Sequence, residues 1–139
     1  MRFLGIDYGR KRIGLALSDE EGILASPLPV YLRVDEKRDI VHLAALAQDR
    51  RVGGIVIGLP RHMDGSAGEM AREVETFADA LRSAAGLATE LFDERLTSRE
   101  AERVLIEADV SRGRRKALRD GLSAVLILQG YLDRRRSRL

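Results

Sequence analysis

Apolar positions along the chain change their period once, and that change separates a β-rich opening from an alternating remainder. Residues 2–8 place Leu4, Ile6 and Tyr8 on one side and Phe3, Gly5 and Asp7 on the other. This alternation predicts a strand with apolar character on both faces. Residues 9–12 form a turn and residues 13–18 return as a second strand. A further turn at 19–22 leads into a third strand within residues 23–34. Pro27 and Pro29 have no N–H to offer a ladder, so this third strand has to be interrupted or lie at an edge.

From residue 35 the period lengthens to that of a helix. Asp35 is a plausible N-cap for a helix with Ile40, Leu43, Ala44, Leu46 and Ala47 on its apolar side. Residues 55–58 read as a short buried strand ending in Leu59-Pro60. Ser66-Ala-Gly-Glu69 has the form of a capping box, opening a helix with Met70, Val74, Phe77, Ala78 and Leu81 inward and Gly86 as its stop. Residues 89–92 are the last strand. Thr97-Ser-Arg-Glu100 is a second capping box, whose helix lines up Ala101, Val104, Leu105 and Ala108. A basic connector at 112–115 precedes a final helix over about 116–134, with Leu118, Leu122, Val125, Leu128 and Leu132 buried. The order βββ-α-β-α-β-α-α implies an α/β fold. Its mixed five-stranded sheet opens as an antiparallel meander, continues with parallel strands and is covered by helices on both faces. No repeat or linker divides residues 1–139, so a single domain is expected.

Composition narrows the chemistry. The chain has no Cys and two histidines, His42 and His62, on different predicted elements. Thiolate metal sites, disulfides, imidazole zinc sites and a Ser-His-Asp triad are therefore poor readings. No secretion signal or membrane-length apolar run is visible, which points to a cytoplasmic protein. Net charge is only +2, yet basic residues cluster at 10–12, 112–116 and 134–138 on a chain of pI near 9.3. An anionic partner such as nucleic acid fits that distribution.

Three acidic positions interrupt apolar structure. Asp7 ends the first strand, Asp93 and Glu94 end the last, and Asp120 lies near the start of the final helix. The ends of strands one and five can be neighbours in a mixed sheet, and a terminal helix can pack across them. Three carboxylates brought together repel one another, and a divalent cation removes that penalty. Oxygen-only ligands favour Mg²⁺ or Mn²⁺, a site suited to phosphodiester cleavage. Period two sends Asp93 and Glu94 to opposite faces. Glu94 is the better candidate because it is terminal and longer, with Asp93 behind it. Gly5 leaves room for the metal or for the final helix. Arg10, Lys11, Arg12 and Arg95 flank this site as candidate contacts to a phosphate backbone. The loop 59–66 leads into a helix start that can hold a phosphate, and His62 reads as a loop residue and not as a general base. Each acid also has a plainer reading as a turn, corner or cap residue.

The blocks Leu4-Gly-Ile-Asp-Tyr-Gly-Arg-Lys-Arg-Ile-Gly-Leu-Ala16, Gly58-Leu-Pro, Met63-Asp-Gly-Ser66, Asp93-Glu-Arg-Leu-Thr97 and Asp120 with Ile127-Leu-Gln-Gly-Tyr-Leu132 occur in this order. Together they resemble the YqgF/RuvX family of bacterial RNase H-like proteins. The resemblance implies an RNase H-like fold and a divalent-metal nuclease site built from Asp7, Glu94 and Asp120. It further implies a role in 5′-end maturation of pre-16S rRNA, linked to ribosome assembly, or in cutting Holliday junctions. Two departures stand out. Ser123-Ala124 replaces the usual Ala-Ala, a small change expected to matter little, and Arg119 replaces an apolar residue before the final acid.

The leading expectation is thus a Mg²⁺- or Mn²⁺-dependent endonuclease acting on structured RNA, as a monomer or homodimer. The same chemistry on branched DNA is the alternative. A non-catalytic RNA-binding module and an actin-like nucleotide-binding fold are the readings outside nuclease chemistry. Aromatic residues make up only 4% of the chain, so recognition should rest on phosphates and shape.

Overall fold

The computed structural model describes residues 1–60, 68–97 and 112–138, with the side chains of 112–121 outside the described part. Five strands form one sheet: β1 (Phe3–Asp7), β2 (Arg12–Ser18), β3 (Ala25–Leu32), β4 (Gly54–Leu59) and β5 (Ala88–Asp93). Their order is β3-β2-β1-β4-β5. The first three run antiparallel; β4 joins β1 in parallel and β5 joins β4 in parallel. The proline-bearing β3 lies at an edge as its sequence requires, with a register shift between Ile13 and Leu15 of its partner strand.

Period two divides β1 between two cores. Leu4 and Ile6 point to one face, where α1 (Glu36–Asp49) and α2 (Glu69–Ala85) cover the sheet with Leu43, Ala47, Val74, Phe77 and Leu81. Phe3 points to the other, where α3 (Arg112–Ser137) supplies Ala124, Val125, Ile127, Leu128 and Leu132. Full burial of each large apolar side chain is worth about 1.5–3 kcal/mol, so both layers contribute substantially. Gly5 is the hinge of the second layer. A Cβ there would sit 2.7 Å from Leu128 Cβ and 3.2 Å from the Ala124 carbonyl oxygen. Its bare backbone makes room for the helix.

The Gln129-Gly-Tyr-Leu132 segment fastens α3. Gln129 accepts from the Ala25 N–H at 2.9 Å and donates to the Ile23 carbonyl at 2.9 Å, clasping the start of β3. Tyr131 meets Phe3 edge-on with centroids 5.4 Å apart.

Several boundaries differ from expectation. Asp35 caps α1 as predicted, accepting from the Arg38 N–H at 2.8 Å, and Gly86 ends α2 at φ 66°. Helix α2 is N-capped by Gly68, and Ser66 of the expected capping box lies outside the described residues. Residues 112–115 belong to α3 and are no connector; arginine is a good helix former, and the helix begins four residues earlier, spans Gly113 and continues to Ser137. The helix expected after Thr97 lies outside the described residues, as do His62 and most of the 59–66 loop. Among the described residues, no helix is long and apolar enough to cross a membrane.

Candidate functional site

Asp7 closes β1 on the face covered by α3, where it is half-buried. Glu94 opens a short 3₁₀ turn, Glu94–Leu96, immediately after β5. Strands β1 and β5 are not neighbours, because β4 runs between them. The carboxyls nevertheless hydrogen-bond to one another. Gly58 of β4 explains how. A Cβ at that position would lie 2.8 Å from Glu94 Oε1 and would collide with Ile127 Cδ1. The missing side chain is the gap through which Glu94 crosses the intervening strand.

Burial raises the Asp7 carboxyl above its ordinary range, against the opposing effect of hydrogen bonds to Glu94 and Ser123. Glu94 is pushed up to about 7, first by burial, then by the charge of Asp7 and the bond between them, and by the charge of Asp93. Of the two, Glu94 is the acid that keeps its proton to the higher pH. Two half-buried carboxyls in contact carry charge that the fold has not neutralised. A divalent cation bound by oxygen atoms resolves that state, and the Asp7–Glu94 donor set fits it. Asp120 lies on α3, whose Ser123 reaches Asp7; the Asp120 side chain lies outside the described part. Ser123 itself hydrogen-bonds to Asp7, so this departure from the family pattern adds a donor to the site.

Asp93 is turned to a different task. It accepts from the Arg95 N–H at 2.9 Å and from the Arg95 guanidinium at 2.7 Å. Arg10 is likewise drawn to an acid, donating through Nη2 and Nε to Glu73 of α2 at 2.6 and 3.1 Å. Lys11 and Arg12 are exposed and form no ion pair with any described residue.

On the opposite face, the structure reveals a cluster that no spacing announced. Asp39 of α1 is fully buried. It accepts from Tyr31 Oη at 2.8 Å, Arg33 Nε at 2.8 Å and the Val34 N–H at 3.0 Å. The Arg33 guanidinium lies 4.8 Å over the Tyr8 ring and donates to the Gly9 carbonyl at 3.2 Å. It thereby braces the turn that follows Asp7. Asp39 had only its helical position as a signal, since it occupies an inward site of a helix otherwise lined with aliphatics.

The family model described as "RuvX: Holliday junction resolvase" matches residues 1–134. The chain belongs to the RuvX family. It is 50% identical over 136 residues to a protein of Halalkalibacterium halodurans, covering 96% of this chain and 97% of that one, and 45% identical to one of Myxococcus xanthus, covering 98% and 90%. Both relatives bear the name "Putative pre-16S rRNA nuclease". Among solved structures, this RuvX-family chain is similar to T. thermophilus RuvC in complex with a Holliday junction substrate, at a TM-score of 0.63, 18% identity and coverage of 99% and 96%. It is also similar to the fowlpox virus resolvase bound to junction DNA, at a TM-score of 0.54, 11% identity and coverage of 100% and 99%. At such identities the likeness establishes the RNase H-like fold alone.

Proposed function

We propose that this RuvX-family protein is a divalent-metal-dependent endonuclease, a cytoplasmic single domain over residues 1–139 that matures the 5′ end of pre-16S rRNA. The observation that carries the reading is the Asp7–Glu94 carboxyl pair, drawn together across Gly58 at the C-terminal ends of parallel strands. A fold optimised only for stability leaves no such pair half-buried, since each carboxyl there raises the cost of ionising the other. The name borne by a relative 50% identical supports this substrate.

Asp7 and Glu94 would hold Mg²⁺ or Mn²⁺, with Asp120 as the third ligand; position 120 precedes Ser123 and Ala124 by about one helical turn. When bound, the metal polarises the scissile phosphate and stabilises the charge that develops on its oxygens. Asp7, accepting from the Ser123 hydroxyl, is oriented from two sides. Glu94 would have to be deprotonated to serve as a ligand. Lys11 and Arg12 lie exposed beside the Asp7 turn, where they can draw the phosphate backbone toward it.

The test is cleavage of a precursor spanning the 16S 5′ end with Mg²⁺, Mn²⁺ or EDTA. Asp7→Asn, Glu94→Gln and Asp120→Asn should each lower cleavage by roughly 10³-fold or more while sparing binding. Wild-type rates from all three variants would sink the assignment. A second reading, cleavage of branched DNA, is favoured by the family description. Junction cutting together with normal rRNA ends in depleted cells would establish it over the first.

A further inference from the structure

Tyr8 follows Asp7 but points to the opposite face of β1, where it packs against Phe77 with ring centroids 5.0 Å apart. There the 9–11 turn, the end of β3 and the first turns of α2 enclose a cleft of about 460 Å³, lined in part by Tyr8, Arg10, Lys11, Arg33, Asp39 and Glu73. Its floor is occupied, because Arg33 is committed to Asp39 and Gly9. Its rim is different. Arg10 is 58% exposed and Glu73 35% exposed, and their bidentate pair spans the opening. Each holds the other's charge, Glu73 below the usual carboxylate range and Arg10 above its own, through this contact.

We infer that this cleft is a second binding site for a backbone phosphate of the substrate, and that Glu73 is an internal competitor for its Arg10. The inference rests on the nuclease reading and extends it to a surface on the other side of β1 from the carboxyl pair. Asp7 and Arg10 are three residues apart around the end of β1, at most about 11 Å of chain, a span comparable to two successive phosphates of a nucleic-acid strand. An ion pair this exposed is weak, and a phosphodiester offers Arg10 the same bidentate geometry that Glu73 does. Exchange of one anion for the other is therefore close to balanced. Neutralising Arg10 in the free protein lowers attraction for any passing polyanion, which is the chief source of non-specific binding. Lys11, exposed at the same rim, adds a cation that no described residue neutralises.

The experiment is a double-mutant cycle of Glu73→Gln and Arg10→Gln in the full chain. It is read as the affinity for a labelled RNA hairpin, and for the matching DNA hairpin, in Ca²⁺ over a salt series. Glu73→Gln should tighten binding about two- to fivefold, the scale of a weak surface ion pair. Arg10→Gln should weaken binding and reduce the slope of log affinity against log salt by about one. In the Arg10→Gln background, Glu73→Gln should change nothing. Equal tightening in both backgrounds would mean simple long-range repulsion and overturn the inference, as would no effect in either. Unchanged melting temperatures of these surface variants exclude misfolding. A folded wild type that binds neither hairpin overturns the nuclease reading along with the inference, whereas binding with a flat cycle overturns the inference alone.

Discussion

Two acids on opposite faces of the same sheet behave in opposite ways. Asp39 is sealed from solvent, yet its carboxyl is held below the ordinary range. Burial alone would raise it, but the Val34 N–H, the Arg33 guanidinium and the Tyr31 hydroxyl outweigh that effect. Asp7 is only half-buried, yet its carboxyl is raised, and its partner Glu94 is raised to about 7. The difference lies in the company each keeps. Asp39 is surrounded by donors and completes a local structure, whereas Asp7 faces a second acid. A carboxylate with all its partners present belongs to the scaffold; a pair of acids lacking them is a place where something else binds.

That contrast can be broken most directly at Asp39. Asp39→Ala leaves the buried Arg33 uncompensated and should cost about 3–5 kcal/mol in urea unfolding. Glu94→Gln should leave the metal-free protein at least as stable as wild type at pH 8, even though cleavage is lost. Comparable destabilisation by both substitutions would erase the distinction between scaffold acid and site acid.

Gly58 is the next lever. In Gly58→Ala the added methyl meets Ile127 and Glu94, so the folded state should lose about 1–3 kcal/mol by overpacking. Cleavage should fall further than stability explains, because Glu94 is displaced from Asp7. A variant that is destabilised but cuts at the wild-type rate would show that the crossing at Gly58 is merely structural.

The pH dependence sharpens the comparison with a smaller effect. Glu94 is raised from an ordinary 4.5 to about 7, so its neutral form contributes stability that is complete below about pH 4.5. That contribution is lost as pH rises through about 7. After allowance for partial solvent screening the loss should be about 1–2 kcal/mol. It should be visible as the difference between wild type and Glu94→Gln in unfolding midpoints from pH 4 to 8.5. Added Mg²⁺ should cancel it by favouring the charged form. Asp39 has the reverse sign, its contribution being present above the ordinary Asp range and lost as pH falls through its lowered value.

The smallest effect belongs to Ser123. Ser123→Ala removes one hydroxyl from Asp7 and should cost about 0.5–1.5 kcal/mol in transition-state stabilisation, the worth of a single hydrogen bond. A steady-state rate within error of wild type would make the residue incidental.

Local periodicity accounts for most of what was readable in advance. The alternation through Leu4, Ile6 and Tyr8 defines β1 and its two faces. The prolines at 27 and 29 send β3 to an edge, and Asp35 and Gly86 bound their helices. These signals act within a few residues and hardly depend on what packs nearby. Helix starts carry weaker signals. Gly68 is the cap of α2, and α3 starts at Arg112, because arginines are as compatible with a helix as with a connector. Asp7 and Glu94 stood out as polar breaks in apolar runs, but nothing local indicated that they touch.

The sequence by itself determined the five strands, the inward faces of α1 and α2 and the acids that stand out, since each follows from near-neighbour sterics and side-chain period. Only the tertiary structure decided that β4 intervenes between β1 and β5, that Gly58 opens the path across it, and that Ser123 reaches Asp7. It alone gathered Tyr31, Arg33 and Val34 around Asp39 and joined Arg10 to Glu73. Those contacts link residues far apart in the chain, and their free energy depends on burial and charge that exist only once the layers have closed.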